Sequence, residues 1–257
     1  MLAQQRQSAI LELIRQRGGV RVGQLVSRFG VSDMTIRRDL EALAERGLVD
    51  KVHGGATLAG PGSADEPGFA AKSVRQQAEK RAIAERAVRL VEPGMAIALS
   101  AGTTTAALAA RLADVPGLTV VTNSIPVADV LYQNPRPDQT VVLTGGIRTP
   151  SDALTGPVAE ATIATLNIDL LFLGVHGMSP RAGFTTPNLL EAAVNKRLIG
   201  AARRLVVLAD HTKWETTGIA TMAPLERADV LVTDAGLPPD PRRQIGEQVG
   251  ELIVVQT

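Results

Sequence analysis

The 257-residue chain contains no cysteine, which excludes disulfide bonds and cysteine-based metal sites. This absence is typical of proteins in a reducing cytoplasm, where we place the chain. Its three histidines, His53, His176 and His211, do not have the spacing of metal ligands, so we expect no metal site. No apolar run is long enough to span a membrane, and the opening segment MLAQQRQS has no signal-peptide core. We therefore expect no membrane partner.

The chain also has little net charge and no nucleotide-binding signature. No Walker A pattern and no GxGxxG follows any apolar run, and we predict no cofactor. The formal net charge is only +1, but it is unevenly distributed. Residues 1–60 have nine Lys and Arg against six Asp and Glu, whereas the remainder has a balance of −2. A basic first segment on a mildly acidic body favours phosphate binding at the amino-terminal end.

The segment from Val31 to Leu43, VSDMTIRRDLEAL, predicts a helix that contacts DNA. Ser32 is a good N-cap residue, because its side-chain oxygen can accept a hydrogen bond from a free backbone N–H. Apolar residues recur at helical spacing and predict one buried face: Ile36, Leu40 and Leu43. Thr35, Arg37 and Arg38 lie between them and are predicted to point outward, where they can reach base edges or phosphates.

The neighbouring residues complete a winged helix-turn-helix. The pattern predicts helices over Arg6–Arg17 and Val22–Phe29, with Gly30 in the turn before the DNA-contacting helix. Gly47 is predicted to end that helix, and residues 48–52 and 56–58 to form a hairpin around His53 and two glycines. Helical periodicity alone would also suit a small helical bundle used for dimerisation.

Residues 1–58 closely resemble the DNA-binding domain of the DeoR family of bacterial transcription regulators. The matching segments are VSDMTIRRDLEAL and GLVDKVHGGA. The resemblance implies that Thr35, Arg37 and Arg38 read the major groove of double-stranded operator DNA. Lys51 stands where the family often has Arg, which implies a phosphate contact. Ser32 and His53 complete the candidate DNA-contacting set, with bracing of the hairpin as the alternative role of His53.

A second domain follows a linker. Residues 59–72, AGPGSADEPGFAAK, are rich in Gly, Pro and Ala, lack a helical stripe and are predicted to be the domain boundary. From residue 73 to 257, short apolar runs alternate with helical segments. Continuous apolar runs of this length are typical of strands buried on both faces. The sequence therefore predicts a winged helix-turn-helix followed by a Rossmann-like, doubly wound, mostly parallel α/β domain.

Small polar residues follow the apolar runs, and ligands of doubly wound sheets bind beyond the carboxyl ends of the strands. In SAGTTT, Ser100–Thr105, a glycine and hydroxyls precede a helix, which favours binding of an anion such as phosphate. Asn123, Ser124, Gly145 and Gly146 are candidates for further donors. Arg148 and Lys213 could bind a phosphate or be solvated loop charges. The alternative is that all these segments are ordinary strand-to-helix turns.

The second domain resembles the sensor domain of the same family. The resemblance is carried by SAGTTT, VTNSIPVA, LTGGIRTPSDALTG, GFTTPNLLEAAVNKRLI and VVLADHTKW. That domain is related to sugar-phosphate isomerases and generally binds a phosphorylated sugar or a related metabolite. The resemblance implies that Gly102, Thr103, Thr104, Thr105, Asn123, Ser124, Glu191, Lys196, Asp210 and Lys213 bind the effector, and Ser100, Gly145, Gly146 and Arg148 from the strand-end pattern complete the candidate set. Ser100 departs from the family, which commonly has Asp at this position.

Two functions follow from these patterns. The first is a transcription regulator, a repressor of a carbohydrate-utilisation operon, that binds operator DNA and a phosphorylated sugar. It would act as a homo-oligomer, because winged helices commonly read paired half-sites. The second is a sugar-phosphate isomerase with an accessory nucleic-acid-binding domain. An isomerase needs an acid/base pair that the sequence does not place, and it gives the DNA-contacting helix no role. We therefore predict the regulator, without enzymatic activity.

Overall fold

The computed structural model describes residues 3–17, 19–45, 48–52, 54–58, 66 and 68–257, and at positions 4, 15–17, 50, 51, 57 and 58 it describes the backbone alone. The chain divides into two compact units, Met1–Gly62 and Ser63–Thr257. The division falls inside the segment 59–72 that the sequence predicts as a linker. The sequence shows no helical pattern in that segment, but the structure has a short helix that begins there at Phe69.

The described part of the first unit contains three helices and three strands. They are α1 (Ala3–Arg17), β1 (Gly19–Arg21), α2 (Val22–Phe29), α3 (Asp33–Glu45), β2 (Val49–Val52) and β3 (Gly55–Leu58). The strands form an antiparallel sheet in the order β1-β3-β2. The predicted bounds of α2 agree with the structure. Strand β1 was not predicted, because three residues are too few to show a periodic pattern. The predicted end of α3 at Gly47 lies outside the described residues.

The three helices are held together by an apolar core and a buried ion pair. Ile10, Ile14, Leu25 and Ile36 are at most 1% exposed, and they pack in one cluster. Gly30 has a φ of 63°, a left-handed conformation that glycine adopts without a steric penalty, and its N–H donates to Val26 at 2.9 Å. This turn ends α2 and directs the chain into α3.

The buried ion pair joins α1 to α3. Arg6 Nε donates to Asp39 Oδ2 at 2.5 Å, and Gln7 Nε2 donates to Asp39 Oδ1 at 3.1 Å. Arg6 and Asp39 are only 8% and 3% exposed. Asp39 therefore fixes the rotation of α3 about its axis, and with it the direction in which the outward side chains of α3 point.

The second unit contains seven helices and twelve strands among the described residues. The helices are α4 (Phe69–Ser73), α5 (Gln77–Ala87), α6 (Thr103–Ala109), α7 (Ile125–Gln133), α8 (Pro157–Ile163), α9 (Leu189–Ala201) and α10 (Pro239–Gly246). The strands are β4 (Ala96–Leu99), β5 (Thr119–Thr122), β6 (Thr140–Leu143), β7 (Ile147–Arg148), β8 (Leu154–Thr155), β9 (Ile168–Gly174), β10 (Gly177–Ser179), β11 (Gly183–Thr186), β12 (Ala202–Leu208), β13 (Ala220–Ala223), β14 (Val230–Asp234) and β15 (Glu251–Val255).

Seven of these strands form one parallel sheet in the order β15-β14-β12-β9-β4-β5-β6. The chain enters at β4, builds outward through β5 and β6, and then returns to β9 on the other side of β4. The strand order therefore reverses between β4 and β9. A crevice forms at such a point beyond the carboxyl ends of the strands, and ligands of open α/β sheets bind there.

Both faces of the sheet are covered, as the continuous apolar runs predict. Leu171 and Leu173 of β9 pack in one core with residues of α8, α9 and α10. Leu170 and Phe172, which alternate with them, pack in a second core with residues of α5, α6 and α7. Successive side chains of a strand point to opposite faces, so a strand between two helical layers is apolar at every position. The fold class predicted from the sequence is confirmed.

Some elements differ from the prediction. Strand β6 has the predicted bounds, but Val141 and Leu143 are 39% and 44% exposed, because β6 is an edge strand with one neighbour. Strand β15 and two small sheets, β10-β11-β13 and β7-β8, were not predicted. Among the described residues, no helix combines the length and the apolar character needed to cross a membrane.

Candidate DNA-reading helix and effector site

The amino-terminal end of α3 is capped as the sequence predicts. The backbone N–H of Thr35 donates to Ser32 Oγ at 3.2 Å, and the two hydroxyls lie 2.9 Å apart. The cap satisfies a backbone N–H that the helix itself leaves without a partner. Ile36 and Leu40 are buried in the core, so the opposite side of the helix faces solvent.

That solvent-facing side has the chemistry of a DNA-reading surface. Arg37 and Arg38 are exposed, and Thr35 is half-buried. Arg37 forms an ion pair with Asp33, one turn earlier, and this contact orients its guanidinium along the helix. Met34, apolar and 63% exposed, lies on the same surface. The sequence pattern predicted a buried face and did not assign Met34 a role. An apolar side chain at such a position can contact a thymine methyl group.

Two candidate DNA-contacting residues belong to the hairpin. The side chain of Lys51 and the whole of His53 lie outside the described residues. Their contacts with DNA therefore stay predictions.

In the second unit, the polar residues at the strand ends bind mainly one another. Ser100 Oγ accepts from the N–H of Gly174 at 2.9 Å, which joins the ends of β4 and β9. Thr105 Oγ1 donates to the carbonyls of Ser100 and Gly102 at 2.7 and 2.9 Å. Both side chains are fully buried. Their hydroxyls hold the rim of the crevice together, and their predicted effector contacts stay untested.

Asn123 and Ser124, predicted near the phosphate, also have protein partners. Asn123 Oδ1 accepts from the N–H of Ala101 at 3.0 Å, and Asn123 Nδ2 donates to the carbonyl of Leu154 at 3.3 Å. Ser124 Oγ caps α7 by accepting from Val127 at 3.3 Å. Of the SAGTTT segment, the hydroxyls of Thr103 and Thr104 have no hydrogen bond among the described contacts, and Gly102 has no side chain. They lie at the start of α6, against which α4 and α5 both pack.

A group of charged and polar side chains lies beside this rim. We refer to Glu66, Lys72, Thr149, Ser151, Asn188 and Glu191 as the carboxylate–lysine cluster. Ser151 Oγ donates to Glu66 Oε1 at 2.6 Å and accepts from Lys72 Nζ at 2.7 Å. Asn188 Nδ2 donates to Glu66 Oε2 at 2.8 Å, and Thr149 Oγ1 donates to Glu191 Oε1 at 2.6 Å. The cluster joins α4, α9 and the loop between β7 and β8.

The two glutamates of the cluster have opposite pKa shifts. Burial, reinforced by the neighbouring Glu66, raises the pKa of Glu191 to about 7. Burial also acts to raise the pKa of Glu66, but hydrogen bonds from Glu191, Ser151 and Asn188 outweigh it, and that pKa is lowered. Carboxyl groups this close share a proton, because both cannot be charged in a buried site without a large cost. Below pH 7, Glu191 therefore holds a proton while Glu66 is a carboxylate.

Lys72 of the cluster and two lysines near it, Lys80 and Lys213, differ in burial. Burial lowers the pKa of Lys72, and the charges of Glu191 and Glu66 oppose that shift. Lys80 is 6% exposed, and its Nζ donates to the carbonyls of Lys72 and Arg75 at 2.6 and 2.5 Å. The positive charge of Lys213 acts on both Lys72 and Lys80. Lys80 thus braces α4 against α5, whereas Lys72 and Lys213 can serve a bound anion.

Asp210, predicted at the rim, is fully buried at the end of β12. Its Oδ1 accepts from the N–H of Thr212 at 3.0 Å, which caps the short helical turn His211–Lys213. Its Oδ2 is buried without a hydrogen-bond partner among the described atoms. His211 Nδ1 lies 2.7 Å from Asp234 Oδ2, and this contact fixes the turn that carries Lys213.

The remaining predicted effector-binding residues are less enclosed. Arg148 is 63% exposed and paired with Asp152 at 2.7 Å. Gly145 and Gly146 follow the edge strand β6 with φ values of 74° and 121°. A Cβ on Gly146 would lie 2.4 Å from the carbonyl of Thr155, so only glycine fits this position. Lys196 is exposed on α9, on a different side of the helix from the buried Glu191. The structure therefore separates Lys196 from the cluster.

Sequence analysis did not identify Glu66, Lys72, Ser151 or Asn188 as members of the site. Only Asn188 had a local signal, because Asn followed three residues later by Glu is typical of a helix start. The structure shows this cap, with Asn188 Oδ1 accepting from Leu190 and Glu191. The other members come from distant parts of the chain: Glu66 meets Ser151 across 85 residues and Asn188 across 122.

Comparisons with known proteins identify both units. A family model described as DeoR-like helix-turn-helix domain matches residues 6–61, and one described as DeoR C terminal sensor domain matches residues 75–235. The chain belongs to the DeoR family of transcriptional regulators. It is a DNA-binding regulator, and the predicted absence of enzymatic activity agrees with the names of its relatives, which are regulators and repressors.

Similar proteins match over nearly the whole length. The HTH-type transcriptional regulator GlpR of Haloferax volcanii is 37% identical over 99% of this chain and 98% of its own. The putative aga operon transcriptional repressor of Escherichia coli O157:H7 is 32% identical over 98% of this chain and 93% of its own. Among solved structures, a ribose 5-phosphate isomerase A from Methanocaldococcus jannaschii has a TM-score of 0.38 at 19% identity, covering 52% of this chain and 53% of its own. A score this low adds nothing to the fold assignment.

Proposed function

We propose that this DeoR-family protein represses a carbohydrate-utilisation operon and that a phosphorylated sugar or a related metabolite controls it. The carboxylate–lysine cluster is the observation that supports effector binding most strongly. Lys72 and Lys213 offer positive charge to a phosphate, and the carboxyl group of Glu191 can hydrogen-bond sugar hydroxyls. Helix α4, which carries Lys72, packs against α6, at whose start Thr103 and Thr104 follow Gly102.

For the reading head, we propose that α3 enters the major groove of operator DNA. The exposed side chains of Arg37 and Arg38, with the half-buried Thr35 beside them, support this assignment, because Arg pairs with guanine edges and with phosphates. The buried pair of Arg6 and Asp39 holds α3 so that these side chains face solvent. Ser32, Lys51 and His53 are proposed as secondary contacts at the helix start and in the hairpin.

Control by an effector requires two arrangements of the protein that differ in affinity for DNA. We propose a homo-oligomer, because winged helices commonly read half-sites spaced by about one DNA turn or its multiples. The effector would bind one arrangement more tightly and shift the population away from the DNA-competent one. Couplings of this kind are typically about 1–3 kcal/mol, which is a change of roughly 5–150-fold in operator affinity.

The first experiment tests DNA binding by the reading head. The full chain is titrated against the DNA upstream of its own gene in a gel-shift assay. Arg38→Ala should weaken binding by about 1–3 kcal/mol if Arg38 contacts a base, and should reduce the salt dependence if it contacts a phosphate. Arg243→Ala removes an exposed arginine of α10 and is the matched control for the change in net charge. Unchanged affinity in both Arg37→Ala and Arg38→Ala would refute the assignment.

The second experiment tests the effector. A series of pentose and hexose phosphates is screened by thermal shift, because a ligand that binds only the folded state raises its Tm. Each hit is then added to the gel-shift assay. A hit that raises the Tm and releases the DNA supports the proposal, and the same hit should lose its effect in Lys72→Met. If no sugar phosphate alters operator binding, the proposed class of effector is wrong.

A further inference from the structure

One member of the carboxylate–lysine cluster differs from the others by its place in the chain. Glu66 precedes the first helix of the second unit and lies only four residues after Gly62, where the first unit ends. The other members belong to α4, to the β7–β8 loop and to the start of α9. Glu66 is therefore a residue of the connecting segment whose side chain is seated in the candidate effector site.

The contacts of Glu66 are those that an anionic ligand would make there. Its two carboxylate oxygens accept from Ser151 Oγ at 2.6 Å and from Asn188 Nδ2 at 2.8 Å. Lys72 adds its positive charge, and Glu191 adds a hydrogen bond. An ammonium group has three donors, and the one described hydrogen bond of Lys72 Nζ within the cluster goes to Ser151. An incoming anion would compete with the carboxylate of Glu66 for this positive charge and for the same donors.

We propose that Glu66 is an internal occupant of the effector site, and that an anionic effector displaces it and thereby frees the segment that leads to the reading head. The inference rests on the proposed function of the second unit and deepens it. Displacement of Glu66 is the step by which effector binding changes the connection between the two units.

The effect of displacing Glu66 depends on where the chain is next held. Strand β3 ends at Leu58, and Glu66 is the first described anchor after it, eight residues along the chain. When Glu66 is displaced, the next anchor is Phe69, whose N–H donates to the carbonyl of Pro150 and whose ring packs on the core. The first described anchor of the second unit then moves three residues along the chain, or about 10 Å if extended. Because half-sites are spaced by roughly 34 Å, we expect a shift of this size to lower the affinity for paired half-sites.

The test uses sulfate as the probe, because its charge is constant across the pH range near neutrality. Sulfate binding to the full chain is measured by calorimetry at constant ionic strength in the wild type, Glu66→Gln and Glu247→Gln. The last variant removes an exposed carboxylate immediately after α10 and is the matched control. Glu66→Gln should bind sulfate at least about ten-fold more tightly than the wild type, because a negative charge beside the site is removed. The control should bind as the wild type does.

Movement of the segment is measured separately by hydrogen exchange of peptides that cover residues 59–68. Sulfate should increase exchange there in the wild type, and Glu66→Ala should show the increased exchange without sulfate. Equal sulfate affinities in the wild type and Glu66→Gln, no sulfate binding to either protein, or exchange unaffected by sulfate would each overturn the proposal. If Lys72→Met abolishes sulfate binding while Glu66→Gln leaves it unchanged, the anion site stands and the role of Glu66 is refuted. The proposed function fails only if sugar phosphates leave operator binding unchanged.

Discussion

The buried Glu191 predicts that the second unit loses stability as the pH rises toward 8. In the folded protein the pKa of Glu191 is about 7, against an ordinary value of 4.5. Between these two values the folded state binds a proton that the unfolded state has released. Stability from this group is therefore fully present below pH 4.5 and is lost as the pH rises through 7.

The expected size follows from the shift. One pKa unit corresponds to 1.36 kcal/mol, so the shift of Glu191 amounts to about 3 kcal/mol. The figure applies without a solvent discount because Glu191 is only 8% exposed. Glu66 acts in the opposite direction: its pKa is lowered, so its contribution is present above the ordinary pKa of a glutamate and lost in acid. Between pH 5 and pH 8 the effect of Glu191 should dominate.

The assay compares the wild type with Glu191→Gln, which resembles the protonated side chain. Trp214 is the single tryptophan of the chain and lies in the second unit, so its fluorescence follows the urea unfolding of that unit. From pH 5 to pH 8, the wild type should lose about 3 kcal/mol more than the variant. Glu247→Gln serves as the control and should follow the wild type. The same pH dependence in wild type and Glu191→Gln would show that Glu191 is not protonated in the folded protein.

Three further predictions concern the two candidate sites. Asp39→Ala leaves Arg6 buried without its partner, so we expect the free energy of unfolding of the first unit to fall by about 3–5 kcal/mol. The variant should lose operator binding and helical circular dichroism at a lower temperature than the wild type. Arg6→Met combined with Asp39→Leu should restore stability. If the single and double variants are equally unstable, the ion pair is not the cause. Thr104→Val should abolish the effector response and leave operator binding unchanged without effector; a normal response in gel shifts would move the phosphate site elsewhere. Arg37→Ala and Arg38→Ala should leave the effector-induced thermal shift unchanged, and a reduced shift would contradict their assignment to DNA.

Much of the fold could be predicted from the sequence, because its signals are local. Helix α2 and strand β6 have the bounds that periodicity and length predict. The apolar runs of β9 and β12 predict strands covered on both faces, and the two cores show why each position is apolar. The short strand β1 has no periodic pattern, and its place in the sheet depends on pairing with β3. Glu251 begins β15 with a charge, which an edge strand tolerates because one side of it faces solvent.

The candidate sites could be predicted only where neighbours in sequence supply the contacts. Arg37 and Arg38 are exposed because Ile36 and Leu40, on the opposite side of the same helix, are buried, and residues within about one helical turn are enough to predict both. Ser100 could not be interpreted in this way. Its hydroxyl binds the N–H of Gly174, 74 residues away, and the sequence does not reveal which strand lies beside β4.

The sequence by itself determined the family, the order of the two units and the outward face of the DNA-reading helix, since each depends on residues within a few turns of one another. Only the tertiary structure decided which carboxyl groups meet. Glu66, Ser151, Asn188 and Glu191 come together because the segment before α4, the loop between β7 and β8 and the start of α9 meet in the folded unit, however far apart they are in the chain. Their shared proton and their contact with Lys72 arise from that geometry, because the charge state of a buried group depends on its neighbours in space.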